Sequence, residues 1–360
     1  MAAMDEPGAE TAETGEAAEP ARPRAFTAVR RAFPALRRAL VAERGSRAAL
    51  MAQIAGGLLL FVAVLGVSSR LIATTWLPAV VLATFAPYLM AAAPLAGLVL
   101  LAGRAEWIAL AALAVTGVAI SLELPLYVAS GGSSAGPRLT MLTANVRYGN
   151  ADAAALVATV RKHHVDVLTV QELTPDEVAR LQAAGLDELL PAHELDARVG
   201  AEGVGLWSRY DLVGGAKHSG FTFALVSARL VMRPGSDDGP TVFAAHIIAP
   251  IQSGPGRWAG ELNRLHGILR TQPAGTVLVG GDFNSTNDHA QFRRLLTGGY
   301  HDAADQAGAG TTRSYPADRW FPPLIGIDHV LARGARATRA RTVSVRGSDH
   351  RGLLVDIVLR

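Results

Sequence analysis

The chain has no cysteine, which excludes a disulfide framework and a thiolate-ligated zinc site. Charge of either sign is almost missing between Ala49 and Val128. An excess of one sign is missing from residues 139–360, where basic and acidic side chains nearly balance. A pI of about 9.5 and a net charge of +3 therefore reflect arginine-rich composition and leave no nucleic-acid footprint on that part. There is also no internal repeat of fixed period.

What is present divides the chain into four parts. Residues 1–47 open with an Ala/Glu/Gly/Thr tail that lacks the apolar surface needed to offset ordering, so residues 1–20 are expected to be disordered. Residues 22–47 then carry Arg22, Arg24, Arg30, Arg31, Arg37, Arg38, Arg44 and Arg47, with Phe26, Val29, Phe33, Leu36 and Leu40 at helical spacing. This predicts a basic amphipathic helix on an anionic membrane face, kinked at Pro34. A solvated basic linker is the alternative.

Residues 48–128 hold three apolar runs, about 49–67, 77–101 and 107–128. Each is long enough for a membrane-spanning helix, which needs about 20 residues. Pro78, Pro87 and Pro94 in the second are tolerated where neighbours re-satisfy the backbone. The long basic region and the further spans are unlike a cleavable signal peptide. The arginines before the first span place the N-terminus in the cytoplasm. Three crossings then put the rest of the chain outside the cell membrane. Residues 129–137, rich in Gly and Ser, read as a flexible linker.

Residues 138–360 alternate short apolar runs with amphipathic ones. Strands are predicted at 138–146, 165–170, 203–207, 224–231, 241–248, 276–279, 326–331 and 353–359, and helices at 151–163, 175–184, 257–271 and 289–297. This mix predicts two packed sheets with helices outside. Polar clusters sit at the strand ends: Thr143-Ala144-Asn145, Gln171-Glu172, Gly281-Asp282-Phe283-Asn284, Ile327-Asp328-His329 and Ser348-Asp349-His350. A buried unpaired carboxylate is costly, so converging acidic ends imply a purpose. Carboxylates, amides and imidazoles together suit a hard divalent cation and a phosphate ester.

The ordered set Asn145, Glu172, His246, Asp282–Asn284, Asp328 and Asp349–His350 resembles the endonuclease/exonuclease/phosphatase superfamily. The resemblance covers residues 138–360 and implies a DNase I-like four-layer α/β sandwich, two mixed sheets flanked by helices. It rests most heavily on Thr276-Val-Leu-Val-Gly-Gly-Asp-Phe-Asn-Ser-Thr286 and Gly347-Ser-Asp-His-Arg351. It implies a phosphate-ester hydrolase using Mg²⁺, with Mn²⁺ as the alternative ion. Glu172, a hard strand-end carboxylate, is the metal ligand expected first. Asn145 would face the ion's hydration shell or the phosphate, and Asp349 would point toward the metal. Asp282 would position or deprotonate the attacking water, and Asn284 would hold a phosphate oxygen. Asp328 would orient His350, which contacts the phosphoryl group. His246 resembles the second histidine of the DNase I and sphingomyelinase branches and would protonate the leaving group. His329 should face away from the site. Arg313, Tyr315 and Trp320 lie in a long loop that either lines a substrate entrance or carries no catalytic role.

A domain tethered beside a bilayer favours a phosphorylated lipid, a lipid phosphate or diphosphate, as substrate. The three spans before this domain also resemble the VanJ-type, teicoplanin resistance-like membrane proteins of actinobacteria, which implies a role near cell-wall lipids. Two alternatives stand beside this reading: a membrane-tethered nuclease, and a non-catalytic module that binds a lipid headgroup.

Overall fold

The computed structural model describes residues 43, 45–132, 135–233, 235 and 239–359. The expectations for residues 1–42, a disordered tail and a basic helix, lie outside the described residues.

Among the described residues, twelve strands form two six-stranded sheets. The first contains β1 (Arg138–Asn145), β2 (Val167–Gln171), β3 (Ala192–Asp196), β4 (Val204–Ser208), β11 (Ala335–Ser344) and β12 (Arg351–Leu359), in the order β11-β12-β1-β2-β4-β3. The second contains β5 (Asp211–Lys217), β6 (Leu225–Val231), β7 (Thr241–His246), β8 (Val277–Asp282), β9 (His301–Asp302) and β10 (Asp328–Arg333), in the order β5-β6-β7-β8-β10-β9. Each sheet has one parallel pair at its centre, β1 with β2 and β7 with β8. These central strands are buried on both faces, which is why they read as continuous apolar runs.

Three apolar layers hold the sandwich. Met141, Val167, Leu206, Val226, Leu278 and Val355 belong to the core that joins the sheets. Helix Pro255–Arg270 packs Trp258, Leu262 and Leu265 against Phe243 and Val279 of the second sheet. Helices Ala153–Lys162 and Pro175–Ala183 cover the first sheet through Leu156, Val160 and Leu181. Asp152 and Thr174 cap their N-termini by accepting from Ala155 N and Glu177 N.

Helix Arg47–Leu71 and the segment Glu106–Tyr127 are each long and apolar enough to cross a membrane. The segment expected to span over 77–101 is a helix Leu77–Thr84 followed by Ala86–Ala102, bent by 71°. Prolines explain the break. Pro87 removes the bond to the Ala83 carbonyl and its ring crowds that group, so the helix stops at Phe85; Pro94 has the same effect at Met90 and Ala91.

The first arm of this bent pair lies on the α/β domain. Val80 is buried in the same cluster as Trp258 and Phe292, and its carbonyl accepts from His289 Nε2 at 3.1 Å. Gln291 Nε2 donates to Thr74 O at 2.6 Å. Arg70, buried at the end of the first helix, pairs with Asp288 and, at 3.3 Å, with Glu123 of the last helix. The far end of the bundle is tied by Gln53 Nε2 donating to Gly103 O. Leu71, Phe85 and Glu123 therefore sit at the domain end, and Arg47 and Gly103 at the other. Residues read as a flexible linker are bonded to the domain: Ser130 N donates to Gln306 O, Arg336 to Gly132 O, and Leu359 N to Pro137 O.

Candidate active site

Strand direction and register assemble the cleft. The parallel strands β1, β2, β7 and β8 end there with Asn145, Gln171, His246 and Asp282. Their antiparallel neighbours start there, β10 with Asp328 and β12 just after His350. Across β7, β8 and β10 the register aligns His246, Asp282 and Asp328 in one row. That alignment needs Gly281, where a Cβ would sit 2.0 Å from the Ala245 carbonyl oxygen.

Glu172 and Asn284 follow their strands in left-handed backbone conformations, φ 58° and 47°. Such conformations are costly for residues with a Cβ and gather at functional turns. Here they are fixed by hydrogen bonds. The Leu173 amide donates to Gly203 O, the Asn284 amide to Asp282 Oδ1 at 2.9 Å, and Asn284 Nδ2 to Ile247 O at 2.8 Å.

Asn145 links the two sheets. Its Nδ2 donates to Glu172 Oε1 at 3.0 Å and to Asp282 Oδ2 at 3.1 Å, while its Oδ1 accepts from Arg147 N. Glu172 Oε2 accepts from Tyr148 N at 2.8 Å. His350 Nδ1 is 2.9 Å from Asp328 Oδ2, and its Nε2 is 3.7 Å from Asp282 Oδ2. His246 Nε2 is also 3.7 Å from Asp282 Oδ2, with Nδ1 donating to Ala201 O. Asp349 turns to the rim, 3.9 Å from Arg147 Nε. The side chain of Asn284 is directed to the end of β7. Contacts, direct or through the backbone, thus join seven of the eight residues singled out from the sequence, and Asp349 stands at the rim against Arg147.

Electrostatics divide the histidines. Burial alone would lower the His350 imidazole, but the carboxylates of Asp328 and Asp282 outweigh it and hold it at about 10. His350 is therefore an imidazolium at neutral pH. His246 is pushed down by burial to about 3 and is neutral. Desolvation raises the Glu172 carboxyl despite the bonds from Asn145 and Tyr148, and burial likewise raises Asp282.

His329 faces away from this cleft, as expected. It is buried, with Nδ1 2.6 Å from Asp302 Oδ2 and Nε2 2.8 Å from the Ser285 carbonyl oxygen. Two contributors escaped the motif reading. Ser348 Oγ donates to Asn145 O at 2.7 Å and accepts from His350 N at 3.0 Å, tying β1 to the final motif. Tyr315 lies over His350, ring centroids 4.9 Å apart. Ser348 was visible in its tripeptide, and Tyr315 as a loop residue that either lines a substrate entrance or carries no catalytic role.

A cation fits the donor set. Glu172, Asp282, Asp328 and Asp349 bring four carboxylates to one imidazolium. Asp328 Oδ1 is buried with no hydrogen-bond partner. Donor atoms of Asp282, Asp328 and His350 lie within 4.8 Å of one another. His350 Nδ1 is already committed to Asp328, however, so the partly exposed carboxylate of Glu172 is the better anchor for a hard ion.

Residues 142–350 match the Endonuclease/Exonuclease/phosphatase family. Three solved structures show the same fold. D. rerio TDP2 complexed with single strand DNA product is 18% identical with a TM-score of 0.52, covering 61% of this chain and 98% of that one. The endonuclease/exonuclease/phosphatase from Bacteroides vulgatus is 16% identical with a TM-score of 0.51, covering 62% and 100%. A functionally unknown conserved protein from Enterococcus faecalis is 14% identical with a TM-score of 0.50, again covering 62% and 100%. No curated protein matches the chain. The two packed mixed sheets flanked by helices are the DNase I-like arrangement, and the matched segment spans more than half of the chain, from β1 to His350. This chain belongs to the endonuclease/exonuclease/phosphatase family.

Proposed function

We propose that the protein is a membrane-anchored, Mg²⁺-dependent phosphoesterase whose substrate is a lipid-linked phosphate or diphosphate of the cell envelope. One observation carries the lipid part: the turn that holds Asp282 and Asn284 runs directly into Asp288 and His289, which bond the apolar helices. The cleft thus lies on the end of the domain that meets the apolar helices.

The roles follow from the geometry. Glu172 would hold the ion, with Asn145 and Asp349 at its hydration shell. Bound Mg²⁺ would offset negative charge on the nonbridging oxygens of the phosphate. Asp282, raised by burial and flanked by two imidazoles, takes the proton of an attacking water. The imidazolium of His350, oriented by Asp328, donates from Nε2 to a phosphoryl oxygen. Asn284 would donate to another from Nδ2, whose other proton goes to the Ile247 carbonyl. His246 has no Nε2 proton at rest, so it protonates the leaving group only once a bound phosphate raises its proton affinity. The VanJ-type likeness and a glycopeptide-resistance role belong to this reading through the spans and the envelope location.

The test is hydrolysis by the full chain in vesicles, with and without Mg²⁺. A polyprenyl diphosphate, a phospholipid and plasmid DNA are offered in parallel. Cleavage of a lipid substrate alone supports the proposal. Cleavage of DNA alone replaces it with the nuclease reading, which the likeness to a DNA-complexed fold keeps open. Binding without cleavage replaces it with the headgroup-binding module.

A further inference from the structure

The loop between Thr311 and Ile327 touches both the cleft and an apolar helix. On the cleft side Tyr315 covers His350, Ala317 N donates to Asp349 O, and Asp318 pairs with Arg147 at 3.1 Å. On the helix side the Tyr88 hydroxyl donates to Leu324 O at 2.6 Å, and the Arg313 guanidinium lies 5.4 Å from the centre of the Tyr88 ring. Tyr315 and Ile325 pair as an antiparallel bridge that closes the base of the excursion. Its tip is Trp320-Phe321, followed by Pro322-Pro323.

Trp320 is 95% exposed, with its ring edge-on to that of Phe321 at 5.4 Å. Leaving an indole in water forgoes burial of a large apolar surface. The two prolines restrict the chain, so the ring is held out at a reduced entropic cost. Position constrains what it meets. Tyr88 lies in the first turns of the arm Ala86–Ala102 that follows the bend. Four residues span at most roughly 14 Å when extended, so the indole backbone stays within that distance of a group bonded to Tyr88. Other exposed aromatics mark the same level: Trp76, Phe85 and Tyr127 all lie at the domain end of the bundle. Tryptophan and tyrosine concentrate where hydrocarbon meets headgroups.

We propose that the Trp320-Phe321 tip is a bilayer-contact surface. It rests in the headgroup region of the leaflet entered by the chain's own helices, and brings membrane-held phosphate esters to the cleft wall formed by Tyr315. This deepens the function proposed above and rests on the apolar helices spanning a membrane.

The absence of cysteine makes the test direct. Trp320→Cys and Ala274→Cys are labelled with bimane in the full chain and reconstituted in phosphatidylcholine/phosphatidylglycerol vesicles. Ala274 is exposed just before β8, at the end of that strand opposite Asp282. Lipids carrying a nitroxide near the headgroup should quench the label at 320 several-fold more than at 274. Equal quenching overturns the contact. In the Trp320→Ala/Phe321→Ala variant, turnover of a vesicle-embedded phosphate ester relative to water-soluble bis(p-nitrophenyl) phosphate should fall about tenfold. An unchanged ratio overturns the delivery role. If the wild type cleaves neither ester, the catalytic reading fails, and the quenching result still decides the surface.

Discussion

The guanidinium of Arg70, closing the first apolar helix, is paired with the carboxylate of Asp288, which lies six residues after Asp282. Both side chains are buried, and Arg70 also reaches Glu123 and the Leu122 carbonyl. Arg293 in turn donates to the Arg70 carbonyl. The end of the first apolar helix and the loop behind the cleft are therefore one electrostatic unit.

Removing one partner of such a pair leaves the other charge buried, at a cost of about 3–5 kcal/mol. Arg70→Ala and Asp288→Ala should each lower the thermal midpoint of the full chain in detergent by many degrees. Arg70→Met with Asp288→Leu should be less destabilised than either single variant. Equal midpoints for all three and the wild type would show that the contact does not secure the domain.

This contact also shows where the sequence stops being legible. Arg70 falls between the first two apolar runs with no motif around it, and its partner is 218 residues away. The central strands were legible because burial on both faces leaves unbroken apolar runs, as in Val277-Leu-Val-Gly-Gly. Edge strands were not: β3, β5 and β11 went unread because they are half-exposed and carry charge or glycine, as in Ala335-Arg-Ala-Thr-Arg-Ala-Arg. The cleft was legible because its chemistry sits at strand ends in a fixed order. The neutrality of His246 was not, since it follows from burial that only packing creates.

Glu172→Gln keeps the shape of the side chain and removes its charge. Mg²⁺ dependence should largely disappear and turnover should fall by orders of magnitude, while the thermal midpoint stays near wild type. An unchanged Mg²⁺ titration of activity would exclude Glu172 as the anchor of the ion.

Asp328→Asn removes the first of the charges that hold His350 up. The imidazole should then titrate well below 10, visible by NMR of its ring protons, and turnover should drop by orders of magnitude. A fully active His350→Ala variant would overturn the mechanism.

His289 gives the fold an acid limit. Thr286 N donates to Nδ1, so the ring proton is on Nε2, facing the Val80 carbonyl. Burial lowers this histidine from 6.5 to about 4. Between those values the unfolded chain binds the proton more readily, so stability must fall as pH drops from 6.5 to 4 and level off below. At 1.36 kcal/mol per unit the loss is about 3 kcal/mol at most. Thermal midpoints across this range should decline, and His289→Gln should flatten the decline. An identical slope in that variant would assign the acid sensitivity elsewhere.

The last expectation concerns sidedness. Arg47 and Gly103 lie at one end of the helical bundle, while Leu71, Glu123 and the cleft domain lie at the other. If the bundle spans the membrane, residue 47 and the domain face opposite sides. The arginines before the first helix favour the cytoplasm for residue 47, which puts the domain outside. In the cysteine-free chain, Ala274→Cys should then react with a membrane-impermeant maleimide in intact cells of a bacterial host. Glu43→Cys should react only after permeabilisation. The reverse pattern would place the cleft in the cytoplasm, and the envelope-lipid substrate would lose its support to a cytoplasmic phosphate ester. Labelling of both sites in intact cells would mean that the bundle does not cross. The bend at Phe85 would then be a fold within a peripheral helical cap, and the exposed faces of helix Arg47–Leu71 would need another apolar partner.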